Sequence, residues 1–298
     1  MYDSAEKIEE LLRTEKTALF DAANKVRIKH KGRRILFRGI VEFSNICNNC
    51  CAYCGISRLN KELERYFMKD KEILSSVKRI ALSGIGTVVL QSGETDSLDD
   101  DWLAWIIRKI KKTHDNMAVT LSVGEKSRSS CKKWKDSGAD RYLLKIETSN
   151  PELYHALHPG MSLENRKRCL SDLKELGYET GSGTMVGLPQ QTLLDIARDI
   201  LFFYRSGFEM IGTGPFIPHK KTPLKNEPAG DIDLVLKTLS ATRIVMKDIN
   251  IPATTAVGSL SAKDHRFEAL ECGANVIMPN FTPLPYSDLY EIYPNKRG

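Results

Sequence analysis

The chain has 298 residues, 41% hydrophobic and 28% charged, with a formal net charge of +6. That is globular composition with ample residues for a large core, and the modest, dispersed charge argues against a dedicated nucleic-acid binder. No apolar run approaches the roughly 18 residues of a membrane span, so no membrane association is expected.

The N-terminal stretch MYDSAEKIEELL is acidic and amphipathic, unlike a signal peptide, and a cytoplasmic protein is expected. Helices are predicted over residues 4–13 and 16–29. The basic run RIKHKGRR at 27–34 reads as a solvated face. A regular alternation follows. Apolar, β-branched runs predict strands at 35–43, 87–91, 118–122, 141–146, 179–186, 210–212, 252–255 and 275–278. Between them, helical periodicity marks 71–83, 99–113, 127–137, 163–176, 193–205, 232–247 and 265–271. Gly84, Gly138, Gly177, Gly207 and Gly273 each separate a helical run from the next strand, as helix stops do. Eight strands alternating with helices imply right-handed βαβ units that close a barrel. The expected fold is α/β: a (β/α)8 TIM-type barrel over 35–298, preceded by an N-terminal helical extension over 1–34. In such barrels the active site lies at the C-terminal ends of the strands.

The first strand runs into FSNICNNCCAYCGIS, which holds four of the seven cysteines. Crowded cysteines in a chain this long point to metal rather than to a disulfide scaffold. Cys131, Cys169 and Cys272 are isolated and read as structural. Cys47, Cys51 and Cys54 have C-x3-C-x2-C spacing, which can wrap three corners of a 4Fe–4S cubane. The fourth iron would stay open to chelate S-adenosylmethionine (SAM), whose reductive cleavage frees a 5′-deoxyadenosyl radical. Tyr53 suits packing beside cluster and adenine. The competing reading is a zinc-stabilised loop on a non-catalytic binding barrel, using Cys50 as a fourth ligand. Zinc ribbons separate their cysteine pairs by roughly 15–20 residues, whereas these pairs abut. Cys50 is therefore read as a spare thiol.

Other strand ends supply groups for SAM. The turn Gln91-Ser92-Gly93-Glu94 lets backbone carbonyls approach the SAM ammonium. Glu147 could bind the ribose hydroxyls or the cationic part of SAM, and Arg166 could pair with its carboxylate. Each could equally be a surface salt bridge. Ser122, with Met185 and Leu188 of the MVGLP stretch, could wall the adenine, although Met185 could also be core filler.

The strings IVEFSNICNNCCAYCGI, LQSGE, RYLLKIETSNP, LKELGYETGSGTMVGLP, GPFIPH, IPATTA and GANVIMPN closely resemble the HydE family of FeFe-hydrogenase maturases. Biotin synthases and methylornithine synthases are more distant relatives. The resemblance implies a complete barrel with an internal cavity and a cluster on Cys47, Cys51 and Cys54. It places Tyr53, Gln91, Ser92, Ser122, Glu147 and Arg166 around cluster and SAM. It places Thr120, Arg141, Thr254, Thr255 and Tyr286 at the substrate end. It further implies addition of the adenosyl radical to the sulfur of an iron-bound cysteine in an organometallic substrate. An external electron donor and other hydrogenase-maturation proteins would be partners, and a monomer is expected.

Lys145-Ile146 stands where the family usually has Arg-His, and Pro189-Gln190-Gln191 replaces its usual Pro-Gly-Gln. No second-cluster cysteines follow the barrel, so one cluster is expected. A methylornithine-synthase-like mutase acting on a small amino acid remains the alternative enzyme. No catalytic side chain is assigned.

Overall fold

The computed structural model describes residues 2–296. Met1, which opens the expected extension, and Arg297 and Gly298, which end the expected barrel, lie outside them. The strands are β1 (Leu36–Phe37), β2 (Gly39–Ser44), β3 (Thr87–Ser92), β4 (Ala118–Ser122), β5 (Arg141–Leu143), β6 (Glu179–Val186), β7 (Met210–Pro215), β8 (Pro252–Ala253) and β9 (Val276–Ile277). Strands β2 to β7 pair in chain order, all parallel, and β9 lies between β1 and β8.

Pairs of main-chain bonds join these two sheets into a ring. Ile40 N–H donates to Pro279 O at 2.9 Å and Phe281 N–H to Ile40 O at 2.8 Å. On the other side, Ile211 N–H donates to Asn250 O at 3.0 Å, and Asn250 N–H to Glu209 O at 2.9 Å. The expected strand at 35–43 breaks at Arg38, so that β1 pairs with β9 while β2 pairs with β3. That break carries the chain around the corner at which the barrel closes. The architecture is the expected TIM-type barrel.

The helices are α1 (Ala5–Arg13), α2 (Lys16–Lys31), α3 (Asp70–Leu82), α4 (Asp100–Thr113), α5 (Arg128–Asp136), α6 (Pro151–Leu157), α7 (Leu163–Glu175), α8 (Leu193–Ser206), α9 (Ile232–Met246), α10 (Thr255–Ser259), α11 (Arg266–Glu271) and α12 (Tyr286–Leu289). All five glycines expected to stop helices have positive φ. At Gly207, φ is 61° and the N–H returns to Phe203 O at 3.1 Å, a left-handed cap that glycine adopts without strain. Helices α1 and α2 pack on α8 and α9, burying Ile8, Leu12, Leu19 and Ala23. Helices α6, α10 and α12 were not expected. They are short, and too few residues repeat for periodicity to mark them. Among the described residues, no helix is long and apolar enough to cross a membrane.

Strand alternation sorts the side chains into two sets. Val41, Phe43, Val88, Leu90, Val119 and Leu121 point outward into the main apolar core beneath the helices. Ile40, Glu42, Gln91, Ser122, Leu143 and Lys145 point into the barrel, where they line a cavity. The interior stays open partly because β6 and β7 turn glycines inward. A Cβ on Gly183 would come 2.1 Å from Gly212 O.

Candidate active site

The cavity has a volume of about 320 Å³ and opens at the C-terminal ends of the strands. The loop after β2 brings Cys47, Tyr53 and Cys54 to its wall. The loop is fixed by main-chain bonds: Asn48 N–H to Glu94 O at 2.7 Å, Ala52 N–H to Leu157 O at 2.8 Å and Gly55 N–H to Ile292 O at 2.9 Å. Arg65 adds bonds from NH1 to Asn45 O and Ile56 O, both at 2.7 Å. Gly93 is needed where the 91–94 turn meets this loop. A Cβ there would stand 2.3 Å from Ile46 O and 2.8 Å from the Cys47 Cβ.

Burial pushes the Cys47 thiol up, and it pushes Cys54 up to about 12. Cys51 is raised by burial and then by Cys54 and Cys47, so the three sulfurs share one electrostatic environment. Cys50 turns elsewhere: its sulfur accepts from Arg58 Nε at 2.8 Å. That geometry disfavours the four-cysteine zinc reading, which needs every thiolate on one ion.

Gln91, Ser92, Gly93, Glu94, Ser122, Glu147, Arg166 and Met185 line the same cavity. Leu188 lies behind it, in a small apolar cluster with Met185, Leu157 and Phe216 against which Tyr53 packs. Arg166 is buried, with Nε 2.8 Å from Glu125 Oε1 and NH2 3.8 Å from Glu94 Oε2. Burial works against its charge, but Glu94, Tyr154 and Glu125 outweigh it and hold its pKa above the ordinary arginine value. Tyr53 OH lies 3.1 Å from His158 Nε2, and His158 Nδ1 lies 3.1 Å from Tyr154 O. Burial, and then the nearby Arg166, push the imidazole down to about 3. A neutral ring fits both contacts, with Nδ1–H donating to the carbonyl and Nε2 accepting from the phenol.

The radical SAM superfamily model matches residues 41–203. The chain is 51% identical over 279 residues to the [FeFe] hydrogenase maturase subunit HydE of Thermotoga maritima, covering 94% of this chain and 79% of that one. The chain belongs to the HydE family of radical SAM enzymes. It is also 27% identical to 3-methylornithine synthase of Methanosarcina acetivorans, over 87% of this chain and 73% of that protein. The fold matches the crystal structure of methylornithine synthase (PylB) with a TM-score of 0.85 at 24% identity, over 93% of this chain and 82% of that one.

Membership in this radical SAM family implies a 4Fe–4S cluster and SAM, and the donor set fits them. Cys47 and Cys54, with Cys51 close enough to feel both, meet a cavity wall that also presents carbonyls, a carboxylate and a buried arginine. Among the described residues, no three His, Cys, Asp or Glu side chains close on a single point as one metal ion would require. A cubane takes its thiolates at separate corners instead.

The five residues expected at the substrate end of this HydE-family barrel do not assemble in one place. Thr254 and Thr255 line the cavity, and Thr255 Oγ1 lies 2.6 Å from Tyr293 OH. Thr120 is fully buried on β4, and its hydroxyl has no hydrogen-bond partner. Arg141 opens β5 at the N-terminal end of the barrel. There its Nε donates to Glu179 Oε2 at 2.5 Å and NH1 donates to Thr87 Oγ1 at 3.2 Å. It lines a separate pocket at that end with Arg38. Tyr286 lies outside the cavity, with its OH donating to Glu72 and its ring 4.9 Å from that of Tyr66. Besides Tyr53, the tyrosines that line the cavity are Tyr290 and Tyr293. Sequence reasoning passed over both, together with Glu42 and His158, and noted Lys145 only as a departure from the family pattern. For the two tyrosines the only signal was proximity to the PY pair at 285–286, in a segment without periodicity.

Proposed function

We propose that Cys47, Cys51 and Cys54 ligate the cluster through three thiolates, and that the enzyme acts in FeFe-hydrogenase maturation as HydE does. One observation carries this reading. The cysteine loop, the 91–94 turn, Glu147 and Arg166 converge from four separate segments on one cavity. When bound, the reduced cluster supplies the electron that cleaves SAM to a 5′-deoxyadenosyl radical.

The protein's own groups bind and orient. Carbonyls of the 91–94 turn accept from the SAM ammonium, and Arg166 meets its carboxylate. Glu147 takes the ribose hydroxyls, and Ser122 with Met185 walls the adenine. Thr254, Thr255, Tyr290 and Tyr293, on the same cavity wall, hold the substrate. The substrate these groups would receive is an organometallic iron-bound cysteine, and its sulfur would be the acceptor of the adenosyl group. Identity of 51% to HydE against 27% to 3-methylornithine synthase supports this substrate class over a small amino acid. The reading carries with it a cytoplasmic monomer, an external electron donor and other maturation proteins as partners.

The test is anaerobic reconstitution followed by product analysis. The protein should become brown, take up four irons for each chain and form 5′-deoxyadenosine from SAM and dithionite. With the organometallic substrate, the adenosyl group should be recovered on cysteine sulfur. Recovery of methylornithine from lysine would overturn the substrate assignment, and a colourless one-zinc protein would overturn the cluster.

A further inference from the structure

Asp199 is a fully buried carboxyl on α8, outside the barrel wall. Its Oδ1 accepts from Ser149 N–H at 2.5 Å and from Ser149 Oγ at 2.6 Å. Its Oδ2 lies 2.6 Å from Thr184 Oγ1, and the same hydroxyl lies 2.9 Å from Glu147 O. Between these contacts sits Glu147, a non-glycine residue with φ of 62°. That left-handed conformation is unfavourable for an L side chain and persists only where the surroundings hold it. Glu147 Oε2 reaches Lys145 Nζ at 2.8 Å within the cavity wall.

Counting hydrogens shows which bonds each state of Asp199 permits. The Thr184 hydroxyl carries one hydrogen and has two oxygen neighbours. A carbonyl carries none, so both contacts are bonded only when Asp199 Oδ2 carries its own. The hydroxyl then donates to Glu147 O and accepts from Asp199. When Asp199 is ionised, the hydroxyl must turn to the carboxylate, and Glu147 O keeps only the Met185 N–H at 2.9 Å.

We infer that Asp199, in its protonated form, is a positioning residue that clamps the Glu147–Ser149 turn through Thr184 and Ser149 and so aims the Glu147 carboxylate into the cavity. Burial pushes its carboxyl up to about 6, against the lowering bonds from Ser149 and Thr184, and Asp195 pushes it the same way. The charged groups around it are Asp195 on its own helix, 3.8 Å from Arg198, and the Lys145–Glu147 pair on the far side of the strand. Strand β6 faces it with Thr184. Below about pH 6 both arms hold; as pH rises through that value Ser149 stays bonded to the carboxylate and the Thr184 bond to Glu147 O is lost. The consequence for SAM rests on the proposed role of Glu147.

The test compares parent, Asp199→Asn, Asp199→Ala and Thr184→Val as reconstituted full chains. Asparagine can accept from Ser149 and donate to Thr184 at every pH, so it copies the protonated state. Amide-exchange protection of Glu147 and Met185, whose N–H groups bond Gly183 O and Glu147 O, and SAM affinity without reductant are both read at about pH 5 and pH 8. Parent protection should fall between the two values by about tenfold, while Asp199→Asn stays flat at the higher level. Asp199→Ala, if it folds, and Thr184→Val should be low at both. An Asp199→Asn chain as poorly protected as Thr184→Val, or a parent that is flat with pH, would overturn the inference. Should protection follow this order while SAM affinity does not, the clamp stands and the role of Glu147 in binding SAM fails.

Discussion

Lys296 Nζ lies 2.7 Å from Oε1 and 2.8 Å from Oε2 of Glu42, with both side chains buried. The ammonium also donates to Tyr290 O at 2.7 Å and lies 4.7 Å from the centre of the Tyr290 ring. This pair anchors the segment that carries Tyr290 and Tyr293 into the cavity. Removing one member leaves a buried charge without its partner, at a cost of about 3 kcal/mol. Lys296→Ala should therefore destabilise the protein by that order in urea unfolding. The double variant Glu42→Gln with Lys296→Met should recover much of the loss. A single variant as stable as the parent would show that the pair adds nothing.

Cys51→Ala should abolish cluster-dependent cleavage of SAM, whereas Cys50→Ala should leave it largely intact. The distinction follows from Cys50 facing Arg58 while Cys51 shares the environment of Cys47 and Cys54. Iron content and 5′-deoxyadenosine yield check it, and equal losses in the two variants would contradict the ligand assignment.

Gly93→Ala should fold yet load iron poorly. The added methyl meets main-chain Ile46 O, which cannot yield as a side-chain tip does, so the cysteine loop must shift. We expect iron uptake to fall to about half or less, with a stability loss of about 1–3 kcal/mol. Full iron uptake would show that the loop has slack at this contact.

Glu147→Gln should weaken SAM binding by about tenfold, the scale of one hydrogen bond to a charged group. Equilibrium dialysis without reductant reads this directly. An unchanged dissociation constant would remove Glu147 from the SAM site.

His158 should make the fold acid-sensitive. Its folded pKa, lowered to about 3, lies below the usual 6.5, so the unfolded chain binds the extra proton between those values. Its contribution to stability is fully present above about pH 6.5 and is lost as pH falls, with a slope near 1.4 kcal/mol for each pH unit. His158→Gln should flatten that part of the stability curve. A parent whose stability is level from pH 6.5 to pH 4 would refute the assignment.

The sequence by itself determined the alternation of strands and helices, the glycine stops and the cysteine loop after the first strand. These are local: periodicity reports which face of an element is buried, and a stop needs only one residue of suitable φ. Even so, β8 and β9 are only two residues each, shorter than the apolar runs at 252–255 and 275–278. The cavity end of each strand was legible for the same reason, since chain direction fixes which residues come last. By the same rule Arg141, first in its strand, belongs at the end opposite the cysteines, whereas the tertiary structure alone decided that Tyr290 and Tyr293 replace Tyr286 at the wall. It alone showed that Cys50 turns away and that Asp199 stands behind Glu147. Those placements depend on contacts between segments far apart in the chain, and no local pattern encodes the direction of a side chain in an aperiodic segment.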